Sequence, residues 1–173
     1  PSPRLAGFGL AGDERAGRPA DFAPAFALAR EAGLGLTAHA GEFAGPESVR
    51  GALDDLGVAR IGHGVRAVED PALVARLAAE GVTLELCPTS NVALGLYPSI
   101  ADHPIHRLAA AGCRVTVSTD DPPFFGASMS GEYAALAACG WSEAALRGPA
   151  RTALDAAFCD FETRARLLTR LGL

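Results

Sequence analysis

The chain has 173 residues, 49% of them hydrophobic and 20% charged, which is typical of a folded domain and not of a disordered segment. A net charge of −5 without any Lys/Arg cluster argues against a nucleic-acid partner, and no apolar run is long enough to span a membrane. The four cysteines form no CxxC pair, which excludes zinc fingers and thioredoxin-like sites and predicts reduced thiols in a cytoplasmic protein.

Short apolar segments and amphipathic segments alternate along the first two thirds of the chain. The amphipathic segments carry helix signals, such as prolines at the first helical position, a capping Asp70 and terminal glycines at 57 and 81. Strands are predicted near 5–10, 34–39, 58–62, 82–86 and 114–119, and helices at 21–32, 46–56, 71–81 and 104–111.

The pattern changes after Pro123, where only helices are predicted. Their start signals are Ser130, Ser142 and Asp160. We expect helices over 130–139, 142–147 and 160–171, with a separate helix around 154–158.

This β-α alternation predicts parallel strands joined by crossover helices in one α/β domain, because no linker or low-complexity segment divides residues 1–173. A closed (β/α)₈ barrel needs eight strands and typically roughly 250 residues. Five βα units followed by C-terminal helices therefore predict either an open parallel sheet or part of a barrel.

Unusual polar residues follow every predicted strand. Because the carboxyl ends of parallel strands meet at one edge of a sheet, we expect these side chains to lie together. Imidazole and carboxylate ligands suit Zn²⁺ and similar metals, and a cation would relieve the repulsion between two adjacent aspartates. The residues are Asp13 and Glu14, His39 and Glu42, His63, Glu85 and Asn91, and Asp120 and Asp121.

Each residue alone also has a purely structural interpretation. His39 could be a hydrogen-bonded core histidine, Asp13 and Glu14 a solvated turn, and Asp120 a turn cap. His103 and His106 lie away from strand ends and are predicted to be surface residues, and Tyr133 and Trp141 are predicted to pack between helices.

Several catalytic signatures are absent from the sequence. It has no GxSxG elbow, no P-loop, no GxGxxG after a strand, no HExxH and no HxE…PCxxC. The remaining chemistry is metal-activated hydrolysis, in which a histidine acts as base and a carboxylic acid as proton donor.

Five segments in order resemble the motifs of the adenosine deaminase family of the amidohydrolase superfamily, whose members are (β/α)₈ barrels. The resemblance covers nearly the whole chain but only the C-terminal half of such an enzyme. The segments are GFGLAGDE at 7–14, HAGE at 39–42, IGHG at 61–64, LCPTSN at 86–91 and STDDP at 118–122.

The resemblance implies a zinc-dependent hydrolysis of adenosine to inosine and ammonia, with one zinc ion per site. His39 and Asp120 would bind the zinc, and His63 would orient the attacking water or accept its proton. Glu42 would protonate N1 of the purine. The remaining roles implied are Asp121 bonded to N7, the Gly12 N–H contacting N3, and Glu85 steadying His63.

One departure from the family limits these expectations. The family's first strand carries a His-x-His pair of zinc ligands, and this chain has none, so only two of the usual three or four ligands are present. We therefore expect little or no activity from this polypeptide by itself.

Three alternatives stay open at this stage. The substrate could be adenine, or another 6-aminopurine such as aminodeoxyfutalosine, instead of adenosine. The chain could also be an inactive half-barrel that works by association with a partner chain or with itself through open sheet edges.

Overall fold

A parallel sheet of five strands lies at the centre of the structure, a computed structural model that describes residues 5–173. The strands are hydrogen-bonded in chain order, so β1 and β5 form the two edges of the sheet. This is the arrangement of a partial (β/α) barrel, as the sequence predicted. The strands are β1 (Gly7–Leu10), β2 (Gly35–Ala40), β3 (Arg60–His63), β4 (Thr83–Leu86) and β5 (Arg114–Val117).

The helices connect successive strands and then continue beyond β5. Within residues 5–173, no helix is both long and apolar enough to cross a bilayer. The α-helices are α1 (Ala23–Glu31), α2 (Pro46–Asp54), α3 (Pro71–Glu80), α4 (Pro88–Ala93), α5 (Ile105–Ala110), α6 (Pro122–Phe125), α7 (Met129–Ala138), α8 (Glu143–Ala156) and α9 (Phe161–Leu171), with 3₁₀ turns at Pro19–Phe22, Val65–Glu69 and Ile100–Asp102.

The predicted capping signals account for several helix ends. The Asp70 carboxylate accepts the N–H groups of Ala72 and Leu73, and α3 ends at Gly81 in the left-handed conformation. Asp160 accepts the N–H of Thr163 in the same way at the start of α9. These two local signals, Asp70 and Gly81, are therefore sufficient to predict a helix over 71–81.

The helices after Pro123 differ from the prediction in two places. Helix α7 is capped by Ser128, whose hydroxyl accepts the N–H of Gly131, and not by Ser130. The two helices expected at 142–147 and 154–158 are one helix, α8, which runs through Pro149. Pro149 is buried and α8 packs along β5, so tertiary packing offsets the cost of an internal proline.

The core lies between the sheet and its helices. In β2, Leu36, Ala38 and Ala40 are buried on the helix-covered face, whereas Thr37 and His39 on the other face are only half-buried. This alternation directs the polar residues of the strands to the concave face, which is the interior side of a barrel.

Near the amino ends of β1 and β2 the concave face is filled by the segment that follows α8. A Cβ added to Gly35 would overlap the ring of Phe158, so only glycine fits there. The guanidinium of Arg60 lies 3.7 Å from the centre of the Phe158 ring, and its Nε lies 3.2 Å from Glu85 Oε1. The open polar site is thereby confined to the carboxyl ends of the strands.

Candidate active site

Four of the predicted site residues lie together at the carboxyl ends of the strands. The ring centres of His39 and His63 are 5.0 Å apart, and Nδ1 of His63 lies 3.5 Å from Oε1 of Glu42. Donor atoms of His63, Cys87 and Asp120 lie within 4.8 Å of one another. The end of β2, the end of β3 and the segment after β5 thus supply one cluster.

Two of these residues have an unusual backbone conformation. Among residues 5–173, His63 (φ 62°) and Asp120 (φ 55°) are the non-glycine residues with positive φ. By strict alternation His63 would share a face with Ile61 on the helix side, but its side chain instead meets His39 and Glu42. Left-handed backbone costs on the order of 1 kcal/mol or more at each such residue and is concentrated at functional sites.

Glu14 holds the loop that carries Glu42. Its Oε2 accepts the backbone N–H groups of Glu42, Phe43 and Ala44 at 3.0, 2.7 and 2.9 Å, and its Oε1 accepts the Ser48 hydroxyl at 3.0 Å. The solvated-turn interpretation therefore fails for Glu14. Asp13 agrees with that interpretation, because it is exposed and its carboxylate accepts hydrogen bonds from the neighbouring Arg15.

Three successive residues of α4 each hold a different carboxylate. The Thr89 N–H donates to buried Glu132 at 3.3 Å, the Ser90 hydroxyl donates to Asp120 Oδ2 at 2.7 Å, and Asn91 Nδ2 donates to Glu42 Oε1 at 3.1 Å. The sequence identified Asn91 only as a polar residue near a strand end, and it did not single out Ser90 or Glu132. Nothing in the local pattern distinguishes them from loop residues, because their partners come from distant segments.

The prediction that His103 is a surface residue is wrong. His103 is 1% exposed, and its Nε2 lies 3.0 Å from Asn91 Oδ1. His106 is half-buried and its Nδ1 accepts the indole N–H of Trp141 at 2.8 Å. Trp141 and Tyr133 pack against the core as predicted.

The remaining predicted site residues lie at the margin of the cluster. Glu85 Oε2 accepts the Thr37 hydroxyl at 3.1 Å and Oε1 faces Arg60, so these carboxylate contacts are to residues other than His63. Asp121 is exposed directly before α6. Gly12 has φ 135° and no atom within 4 Å of the position of a Cβ, and it lines a cavity of about 220 Å³ whose other lining residues include Leu10, Glu14, Phe22, His39 and Ser48.

Burial and neighbouring charges move the two central titratable groups in opposite directions. Burial, together with the carboxylates of Asp120 and Glu14, raises the pKa of Glu42 to about 7. Burial and the neighbouring His39 lower the pKa of His63 to about 4. At neutral pH the site therefore holds a carboxyl group ready to donate a proton and a neutral imidazole able to accept one.

The donor chemistry of the cluster suits a metal ion that accepts nitrogen, oxygen and sulfur ligands. The predicted ligands His39 and Asp120 offer one imidazole and one carboxylate, and His63 and Cys87 add an imidazole and a thiol beside Asp120. Burial, together with the carboxylates of Asp120, Glu132 and Glu42, raises the pKa of the Cys87 thiol above its ordinary range.

Known proteins with this sequence pattern are deaminases. The adenosine deaminase family model matches residues 2–172. Two bacterial adenine deaminases are similar: that of Chelativorans sp. is 58% identical over 170 residues, and that of Agrobacterium fabrum is 57% identical over 171. Both alignments cover 98% of this chain but 52% and 53% of the relatives, so the chain spans about half their length.

Solved structures agree with the sequence comparison. An adenine deaminase from Arthrobacter aurescens superposes with a TM-score of 0.91 at 38% identity, over 95% of this chain and 50% of that one. A zinc-bound amidohydrolase from Burkholderia ambifaria gives 0.87 at 31% identity, over 95% and 47%. On the family match and the shared fold, the chain belongs to the adenosine deaminase family.

Proposed function

We propose that this chain carries the base-binding and proton-transferring part of a purine deaminase, and that its substrate is adenine. The observation that carries the proposal is buried Glu42, with a pKa near 7, set against neutral His63 and the strained Asp120. The sequence resemblance pointed first to adenosine. The names of relatives at 57 and 58% identity favour the adenine alternative.

Hydrolytic deamination of an aminopurine needs a proton delivered and a proton removed. Protonated Glu42 would donate to N1 of the ring, which makes C6 electrophilic, while neutral His63 would accept a proton from the water that adds to C6. Ammonia then leaves from C6, and hypoxanthine is the product from adenine. The opposed pKa values of Glu42 and His63 supply both protonation states at neutral pH.

His39 and Asp120 are the residues that would hold zinc. Zinc, when bound, lowers the pKa of a coordinated water and so supplies a nucleophile at neutral pH. Ser90 fixes the orientation of Asp120 through its hydroxyl. Asp121 and the Gly12 N–H are proposed to bind the purine at N7 and N3.

Substrate choice is tested by completing the barrel. The chain is fused to the portion of the Agrobacterium fabrum adenine deaminase that it does not cover, which is expected to supply the first-strand histidines; this fusion is called the completed barrel. Hypoxanthine from adenine and inosine from adenosine are then quantified by chromatography. We expect kcat/KM for adenine to exceed that for adenosine at least roughly tenfold, because a pocket fitted to the free base would have to exclude the ribose at N9 of adenosine.

Equal turnover of the two substrates, or faster turnover of adenosine, would overturn the assignment to adenine. Aminodeoxyfutalosine is included as a third substrate, and faster turnover of it than of adenine would also overturn the assignment. The 173-residue chain without the fused portion is assayed in parallel and is expected to release little or no ammonia.

A further inference from the structure

We propose that His103 and Asn91 are positioning residues for the proton donor, and that together they fix which carboxylate oxygen of Glu42 carries its proton. The inference deepens the proposed function and rests on it, because it assigns a partner to the acid that would protonate the purine. It starts from two hydrogen bonds that the deamination chemistry leaves unused.

The first step is the tautomer of His103. The backbone N–H of Ile105 lies 3.1 Å from Nδ1 of His103, and an N–H can only donate. Nδ1 must therefore be the unprotonated acceptor nitrogen of a neutral ring, and Nε2 must carry the proton. Burial lowers the pKa of His103 to about 3, which is consistent with a ring that stays neutral near pH 7.

The second step is the orientation of the Asn91 amide. The Nε2–H of His103 points at one atom of that amide at 3.0 Å, and a donor there requires the amide oxygen. The NH₂ end must then face the opposite way, toward Glu42 and His63. Asn91 is fully buried, so bulk solvent does not reach these positions.

The third step is the proton on Glu42. Asn91 Nδ2 donates to Oε1 of Glu42 at 3.1 Å, and the same nitrogen lies 3.5 Å from Nδ1 of His63. An oxygen that already accepts an N–H at this distance is the less favourable place for the carboxyl proton. The carboxyl proton of Glu42 is thereby directed to Oε2. The backbone N–H of Ile105 sets the tautomer of His103, and His103 in turn sets the orientation of the Asn91 amide.

The tautomer and the carboxyl group can be examined by NMR on the 173-residue chain itself. In ¹⁵N-histidine-labelled protein at pH 7, His103 is expected to show a protonated Nε2 and an unprotonated Nδ1. His106→Gln serves as assignment and folding control, because His106 bonds to Trp141 and not to the site. A His103 with its proton on Nδ1 would overturn the proposal.

Variants test the effect on Glu42. Asn91→Leu removes the donor, and His103→Met removes the proton that orients the amide, whereas His103→Gln keeps an N–H directed at Asn91. The Glu42 pKa, followed by ¹³C-carboxyl shift in the chain, should rise by roughly 0.5–1 unit in Asn91→Leu and His103→Met, because a hydrogen bond to the carboxylate form is lost. It should stay near the unsubstituted value in His103→Gln.

The completed barrel gives a second readout. Because Glu42 must be protonated, activity should decline at high pH, and this decline should move upward by the same roughly 0.5–1 unit in Asn91→Leu and His103→Met. In these two variants kcat should fall roughly tenfold or more with little change in KM, and His103→Gln should restore it.

Two different failures are distinguishable. If the completed barrel does not deaminate adenine, the proposed function fails, but the chain's NMR data still decide the His103–Asn91 inference. If adenine is deaminated while Asn91→Leu and His103→Met leave the Glu42 pKa unmoved, the inference fails and the proposed function stands.

Discussion

Glu42→Gln is expected to lose deamination and, at the same time, to make the folded chain more stable above pH 7. Removal of a positioned acid typically costs on the order of 10²–10⁴-fold in rate. Glutamine keeps the shape and can accept the Asn91 N–H, but it has no proton to give. Adenine turnover by the completed barrel carrying this substitution measures the first effect.

The gain in stability follows from the direction of the pKa shift. The pKa of Glu42 is raised from 4.5 to about 7 in the folded chain, so the folded state holds a proton that the unfolded state has released. The associated stability is fully present below pH 4.5 and is lost as the pH rises through about 7. At about 1.36 kcal/mol per unit, the loss at pH 8 is about 3 kcal/mol.

Urea unfolding of the 173-residue chain at pH 4.5 and pH 8 tests this effect. Glu42→Gln should exceed the unsubstituted chain by about 2–3 kcal/mol at pH 8 and by little at pH 4.5. Glu47→Gln, the same substitution at an exposed position in α2, is the matched control and should show no such difference. Equal stability of Glu42→Gln and the unsubstituted chain at pH 8 would refute the raised pKa.

Glu14→Ala is expected to destabilise the chain by about 2–4 kcal/mol, because three backbone N–H groups and the Ser48 hydroxyl lose a charged acceptor. The loop after β2 would loosen, and Glu42 would lose its fixed position. The pKa of Glu42 should also fall, since the Glu14 charge helps to raise it. The midpoint of urea unfolding and the ¹³C-carboxyl shift of Glu42 report the two effects.

Asp13→Ala is the control for the effect of Glu14→Ala on stability. Asp13 is the adjacent acid, it is exposed, and its partner Arg15 is exposed too. Solvent screens surface pairs of this kind, so Asp13→Ala should shift the midpoint of urea unfolding far less than Glu14→Ala does. If both substitutions had the same small effect, Glu14 would not be the anchor of the loop.

Features set by local signals could be predicted from the sequence. The strand positions follow from apolar runs, and the start and end of α3 follow from Asp70 and Gly81. The convergence of His39, Glu42, His63 and Asp120 at one edge follows from parallel topology, since every strand then ends on the same side.

Features set by distant contacts were beyond sequence reasoning. Glu14 acts on a loop about 30 residues away, and His103 is buried because it meets Asn91, so neither has a periodic signal. The left-handed backbone of Asp120 has no glycine to indicate it. Two helices were expected at 142–147 and 154–158 because the sequence does not show the support that β5 gives to one continuous helix, α8.

Release of hypoxanthine from adenine by the completed barrel, with and without Asp120→Asn, tests whether this chain carries half of an adenine deaminase site. This substitution removes the charge of the proposed metal ligand in the segment after β5 while keeping the size of the side chain. We expect turnover in the unsubstituted fusion, a loss on the order of 10²-fold or more in Asp120→Asn, and no loss in the exposed control Asp55→Asn. Absence of hypoxanthine from the unsubstituted fusion, or equal rates for Asp120→Asn and Asp55→Asn, would contradict it.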